Sequence, residues 1–262
     1  MQIYQIDAFT DSAFAGNPAA VCILSEKMED DWMQNLAAEM NLSETAFIYR
    51  EGKNFNLRWF TPSSEVDLCG HATLASAHTL WEAGEVSSEE TIDFDTKSGI
   101  LTAEKNEKWI ELNFPAEIEE AADIPENMTK ALGQIEIVYS GKNRMDYLLE
   151  VESEEIVKNI EPDFDLLKKI DTRGIIVTAI SASDKYDFVS RFFAPNIGIT
   201  EDPVTGSAHC CLGPYWSEKL NKNSLIGFQA SERGGTVRVK ADGNRINLSG
   251  KAVTIFRGEL LV

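Results

Sequence analysis

The chain has 262 residues, 43% of them hydrophobic and 26% charged, a mixture that suits one large globular domain or two smaller ones. With 24 Lys+Arg against 43 Asp+Glu, the net charge of −19 argues against nucleic acid and anionic membrane as partners, because binding either one rests on clustered cations. The N-terminus shows no basic and apolar leader, and no apolar run approaches the roughly 18 residues of a membrane span, so a cytoplasmic protein is expected.

In chain order, β-rich runs predict strands at 3–8, 19–24, 45–49 and 55–60. Residues 30–40 are amphipathic, with Trp32, Leu36 and Met40 at helical spacing and acidic residues at the start, and predict a helix. Residues 71–83 are apolar on nearly every side (Ala72, Leu74, Ala75, Ala77, Leu80), which predicts a buried central helix. A meander follows at 91–94, 100–104 and 109–114. The second half repeats the plan, with strands at 135–140, 144–151, 174–181 and 187–193, a helix at 207–220 and four closing strands.

The repetition extends to residue identity. Arg58-Trp59-Phe60-Thr61-Pro62 returns as Arg191-Phe192-Phe193-Ala194-Pro195. Each copy leads through an acidic stretch to a small-residue helix start, Gly70-His71-Ala72-Thr73 or Gly206-Ser207-Ala208-His209, and each helix carries a tryptophan, Trp81 or Trp216. Two homologous lobes are expected, 1–118 and 119–262, with the last strand free to return to the first lobe. The fold class expected is α+β: each lobe a mainly antiparallel, barrel-like sheet wrapped around a central helix, with the site in the inter-lobe cleft. Two helix N-termini meeting there would offer unpaired N–H groups and positive dipole ends to a carboxylate. Gly70 and Gly206 would let a substrate approach the backbone closely.

Other chemistries find little support. Cys22, Cys69, Cys210 and Cys211 form no CxxC pair, and His71, His78 and His209 form no cluster with zinc spacing, so neither a metal nor a cofactor is expected. Dinucleotide, Walker and GxSxG signatures are absent.

Three segments, Asn41-Leu42-Ser43-Glu44-Thr45-Ala46-Phe47, Asp67-Leu68-Cys69-Gly70-His71-Ala72-Thr73-Leu74 and Glu201-Asp202-Pro203-Val204-Thr205-Gly206-Ser207-Ala208, resemble the signatures of the phenazine-biosynthesis, PhzF-like family. Asp7-Ala8-Phe9-Thr10 and Phe14-Ala15-Gly16-Asn17-Pro18 resemble it too, so the likeness covers the whole chain in order. The resemblance implies the diaminopimelate-epimerase-like fold and a cofactor-independent isomerase that moves a proton on a small acidic metabolite. Glu44 matches the family's catalytic carboxylate; His71, Asp202 and Ser207 match its proton-handling and substrate-contacting positions. Gly70, Ala72, Thr205, Gly206 and Ser207 are the expected substrate-binding residues, and a homodimer is compatible with the fold.

The physical logic agrees. A carboxylate beside Leu42, Ala46, Phe47 and Ile48 is partly desolvated, as a general base requires. His71 at a helix N-terminus is expected to favour the neutral imidazole. Alone, each residue has an ordinary reading, Asp202-Pro203 as a turn and Ser207 as a first-turn residue. One alternative is a two-base racemase or epimerase using Cys69. Its second thiol is missing, since the matching place in the second half reads as Pro203. A binding or regulatory protein without chemistry is the other.

Overall fold

A computed structural model describes residues 1–261. The chain divides into two compact units, Met1–Phe114 together with the chain from Asn247 onward, and Pro115–Ile246.

The first unit begins with strands β1 (Gln2–Ala8) and β2 (Asn17–Leu24), helix α1 (Asp30–Met40), and strands β3 (Glu44–Glu51), β4 (Asn54–Phe60) and β5 (Glu65–Val66). Helix α2 (Gly70–Glu82) follows, then β6 (Ile92–Thr96), β7 (Gly99–Asn106) and β8 (Trp109–Pro115). The second unit holds β9 (Glu120–Ala121), α3 (Glu126–Ala131), β10 (Ile137–Lys142), β11 (Asp146–Val151), α4 (Glu154–Asn159), α5 (Phe164–Leu167), β12 (Gly174–Ile180) and β13 (Phe188–Phe193). It continues with α6 (Gly206–Leu220), β14 (Ser224–Gln229) and β15 (Gly235–Asp242). Strand β16 (Arg245–Gly250) carries the chain out of this unit, and β17 (Ala252–Glu259) pairs antiparallel with β1.

Both units pair their strands in the same succession. In the first, β1–β2 is antiparallel, β2–β3 parallel, β3–β4 antiparallel, β4–β6 parallel and β6–β7 antiparallel. In the second, β10–β11, β12–β13 and β14–β15 are antiparallel, while β11–β12 and β13–β14 are parallel. The sheets are mainly antiparallel, as expected, with the parallel pairs β2–β3, β4–β6, β11–β12 and β13–β14 set among the antiparallel ones. Each parallel pair is joined through a helical crossover, which a tight hairpin cannot replace. Helices α4 and α5 serve the β11–β12 crossover. Together with α3 they are the α-helices that sequence periodicity left out, since six, four and six residues are too few to display a helical period.

Helix α2 packs on β1, β2, β3 and β17, and Ala72, Leu74, Ala75, Ala77 and Leu80 are all fully buried. Its three hydroxyl residues are buried as well, and each hydroxyl returns to a carbonyl one turn back: Thr73 to Cys69 at 2.5 Å, Ser76 to Ala72 at 2.7 Å, Thr79 to Ala75 at 2.8 Å. These bonds let a largely buried helix keep three hydroxyls inside. Burial of Leu74 and Leu80 contributes about 1.5–3 kcal/mol each, and Leu80→Ala would cost about 2–5 kcal/mol. In the second unit, Trp216 of α6 stacks on Phe188, with centroids 5.9 Å apart, and donates its indole N–H to Thr178 at 3.0 Å.

The repeated arginines perform one task twice. Arg58 forms a two-pronged pair with Glu65, with Nε–Oε1 at 2.7 Å and Nη2–Oε2 at 2.8 Å; Arg191 does the same with Glu201, at 2.7 and 2.9 Å. Each guanidinium also lies over the phenylalanine two residues on, Phe60 or Phe193. Each fork ties a strand to the loop that runs into the unit's central helix, so the chain arrives at Gly70 or Gly206 on a fixed course.

Candidate active site

Helix α1 ends at Asn41, in the left-handed conformation (φ 50), with its N–H on the Ala37 carbonyl. This turn delivers Glu44 as the first residue of β3, in register with Ala19 of β2. Strand β2 starts at Asn17, which is fully buried, and α2 starts at Gly70 with Cys69 as its N-cap. Three strand and helix beginnings thus meet. Glu44 Oε2 lies 3.2 Å from His71 Nε2, the Asn17 amide nitrogen lies 3.2 Å from His71 Nδ1, and Cys69 Sγ lies 3.5 Å from the same nitrogen.

The Glu44–His71 contact is an ion pair by distance, yet Oε2 and Nε2 are both buried and lack an aligned hydrogen bond. Side-chain exposure is 12% for Glu44 and 6% for His71, so their attraction is little weakened by water. Burial of the ring opposes its charge, but the Cys69 sulfur and the Glu44 carboxylate outweigh burial and hold His71 well above the ordinary histidine range. The neutral imidazole expected from the helix dipole is therefore corrected: a carboxylate at 3.2 Å acts more strongly than a partial helix-end charge. Burial, followed by the Glu44 charge, raises the Cys69 thiol as well.

Glu44, Cys69 and His71 each offer one ligand atom within 4.8 Å of the others, so these residues could hold a metal ion that the spacing of the sequence did not announce. Gly70 opens α2 beside them. Ala72 is fully buried and gives its backbone N–H to the Cys69 sulfur.

The second unit organises the remaining expected residues. Asp202 and Thr205 are nearly buried, at 8% and 7% exposure, and the Thr205 hydroxyl donates to Asp202 Oδ2 at 2.5 Å. Gln229 of β14 braces both: its Nε2 donates to the Asp202 carbonyl at 2.7 Å, and its Oε1 accepts from the Thr205 N–H at 2.9 Å. Gly206 and Ser207 open α6. Ser207 Oγ accepts from Arg173 Nη2 at 2.9 Å, and the Arg173 fork grips the buried Asp146 through Nε–Oδ1 at 2.8 Å and an Nη2–Oδ2 contact.

By helix register Thr205, the N-cap of α6, corresponds to Cys69, the N-cap of α2. Pro203, expected at that place, lies two residues further back, whereas Thr205 stands directly before Gly206 as Cys69 stands directly before Gly70. The missing second thiol remains, since threonine cannot serve as one. Sequence reasoning also missed Asn17, Arg173, Asp146 and Gln229 as supports. Asn17 lay within the quoted Gly16-Asn17-Pro18 segment, whereas Arg173, Asp146 and Gln229 carried no local signal.

A sequence model described as phenazine biosynthesis-like protein matches residues 6–258. An uncharacterized isomerase of Halalkalibacterium halodurans is 58% identical over 99% of this chain and 98% of its own. A PhzF-family protein of Enterococcus faecalis, solved by crystallography, superposes with a TM-score of 0.95 at 44% identity, covering 100% of this chain and 99% of that one. A probable proline racemase from Agrobacterium radiobacter, 11% identical with a TM-score of 0.65 over 100% of this chain and 93% of its own, shares the fold.

Proposed function

The chain belongs to the phenazine biosynthesis-like protein family, and from that premise we propose that it is an isomerase that moves a proton on a small carboxylate-bearing metabolite, with Glu44 as general acid/base. The observation that carries the reading is the Glu44–His71 pair, a carboxylate with 12% side-chain exposure facing an imidazole at 3.2 Å. Glu44 takes the proton from a C–H bond, and the resulting carboxylic acid returns it to another carbon on the same face. Once Glu44 is neutral, the charged His71 is left to stabilise the negative charge that develops on the substrate. Asp202 accepts from an ammonium or hydroxyl of the substrate. Ser207, with Arg173 behind it and the first N–H groups of α6, receives the carboxylate. Gly70, Thr205 and Gly206 shape the backbone around these contacts. No step calls for a cofactor.

The test is exchange of C–H for C–D in deuterated water with a panel of small carboxylic acids. Glu44→Gln should keep the fold and lose about 10²–10⁴-fold in rate. The two-base alternative makes the reverse forecast, with Cys69→Ala inactive and Glu44→Gln active, and that outcome would overturn the assignment. The Thr205 hydroxyl at the place corresponding to Cys69 weighs against the alternative, because it donates to Asp202 and is no thiol. A purely binding protein would exchange none of the acids.

A further inference from the structure

We propose that Glu44, Cys69 and His71 form a binding site for one soft divalent cation of the zinc type, whose capture blocks the proton-transfer pair. The donor set is the first ground. One carboxylate oxygen, one imidazole nitrogen and one thiol suit zinc or cobalt, whereas magnesium and calcium take shells of oxygen that this cluster does not offer.

Distance is the second. Zinc bonds of about 2.0–2.1 Å to nitrogen, 2.0–2.2 Å to oxygen and 2.3 Å to sulfur place tetrahedral ligand atoms roughly 3.3–3.6 Å from one another. Glu44 Oε2 and His71 Nε2 already stand 3.2 Å apart, close to such an edge. The ligand atoms of the three residues lie within 4.8 Å of one another, and the Cys69 sulfur, now 3.5 Å from Nδ1, turns about its side-chain torsions toward Nε2 to complete the set. The third ground is the state of the two facing atoms: both are buried, and they meet only as an ion pair without an aligned hydrogen bond. Buried polar atoms are seldom left so, and an ion satisfies both at once.

Supporting geometry is present at the far side of the ring. With Nε2 on the metal, the ring proton resides on Nδ1, where the Asn17 amide at 3.2 Å can turn its oxygen to accept it. Capture is a proton-releasing exchange without redox change: the Cys69 S–H bond breaks, a sulfur–metal bond forms, and the proton leaves to water. His71 likewise gives up its Nε2 proton. Binding therefore tightens as pH rises. Three protein ligands leave a fourth position to water. That capture blocks turnover rests on the proposed role of Glu44; that the ion binds does not.

The experiment titrates the full-length chain with Co²⁺ without oxygen and follows absorbance. One equivalent should bind, with a near-ultraviolet thiolate-to-cobalt band and the visible bands of four-coordinate cobalt, all bleached by Zn²⁺. Cys69→Ser should remove the thiolate band, and Glu44→Gln and His71→Gln should each weaken binding at least about tenfold. Cys210→Ser, a buried thiol elsewhere, should change nothing. The proposal is overturned by absence of the band, by its survival in Cys69→Ser, or by unaltered affinity in both Glu44→Gln and His71→Gln. If Cys69→Ser fails to fold, Glu44→Gln decides. Intact cobalt binding alongside proton exchange that Zn²⁺ does not slow would overturn the blocking claim. Loss of the exchange reading alone leaves the metal site standing.

Discussion

Gly16 precedes the residue that meets His71, and its replacement separates two costs that a glycine can conceal. Its φ is +66, and an added Cβ would lie 2.2 Å from the Ala8 carbonyl oxygen and 2.8 Å from Thr10 Cγ2. Gly52 has the same backbone conformation, φ +65, with nothing within 4 Å of its would-be Cβ. Gly52→Ala should therefore cost only the left-handed backbone penalty, about 1–2 kcal/mol. Gly16→Ala adds a clash with backbone that cannot rotate away, because Ala8 is held in register opposite Asn17 in the β1–β2 ladder. Relieving it requires an opening of about 1 Å and should add about 1–3 kcal/mol, the usual range for overpacking. Urea unfolding of the two variants, followed by tryptophan fluorescence, measures the difference. The displacement falls on Asn17, so the imidazole resonances of His71 should shift in Gly16→Ala and stay in Gly52→Ala. Equal destabilisation by the two substitutions, or unmoved His71 resonances in Gly16→Ala, would refute the reasoning.

The charge on His71 should make stability fall with pH. The folded state holds this group above its unfolded value of about 6.5, so the stabilisation is complete below that pH and is lost as pH rises through the folded value, with a slope of up to about 1.4 kcal/mol per pH unit. Urea unfolding at a series of pH values should show this decline in the wild type and a flatter course in Glu44→Gln; identical slopes would count against the pair. Arg191→Met should destabilise by about 2–4 kcal/mol, because it strands Glu201 and removes the donor to the Ile160 carbonyl at 2.7 Å. Arg58→Met should cost less, since its other partner, Asp30, is 71% exposed; a larger loss than at Arg191, read from denaturation midpoints, would contradict this. Arg173→Gln should raise KM for an acidic substrate more than it lowers kcat, and a change in kcat alone would remove Arg173 from the carboxylate contact.

Much of this protein was legible from order along the chain. The strands at 3–8, 19–24 and 55–60, the buried α2 and the long α6 follow from apolar patterning, a property of neighbours in sequence. The repeated arginine–aromatic segments announced two similar halves, and the structure gives both arginines the same two-pronged glutamate partner. Short α3, α4 and α5 were not legible, because their hydrophobic contacts are made with other elements and leave too few residues for a period. The four-residue α5 is capped by Asp163, whose carboxylate accepts from the Asp165 and Leu166 N–H groups, a signal that tertiary packing had to make meaningful.

The site divides in the same way. Glu44, His71, Asp202 and Ser207 could be named because each lies in a recognisable segment, and their residue types already limit the chemistry to proton transfer and hydrogen bonding. Their charge states and supports could not be named. The raised His71 and the raised Cys69 arise only when β2, β3 and α2 begin at one place, bringing Asn17, Glu44 and Cys69 within 3.5 Å of one ring. Arg173 reaches Ser207 only because β11 and β12 run parallel and set Asp146 beside Gly174, where the carboxylate can hold the guanidinium. Periodicity and motifs record what adjacent residues prefer, and so sequence alone determined the elements and the reactive groups. Electrostatics acts through space with a distance dependence of ångströms, and so only the tertiary structure decided which group is charged, which is held, and which could share an ion.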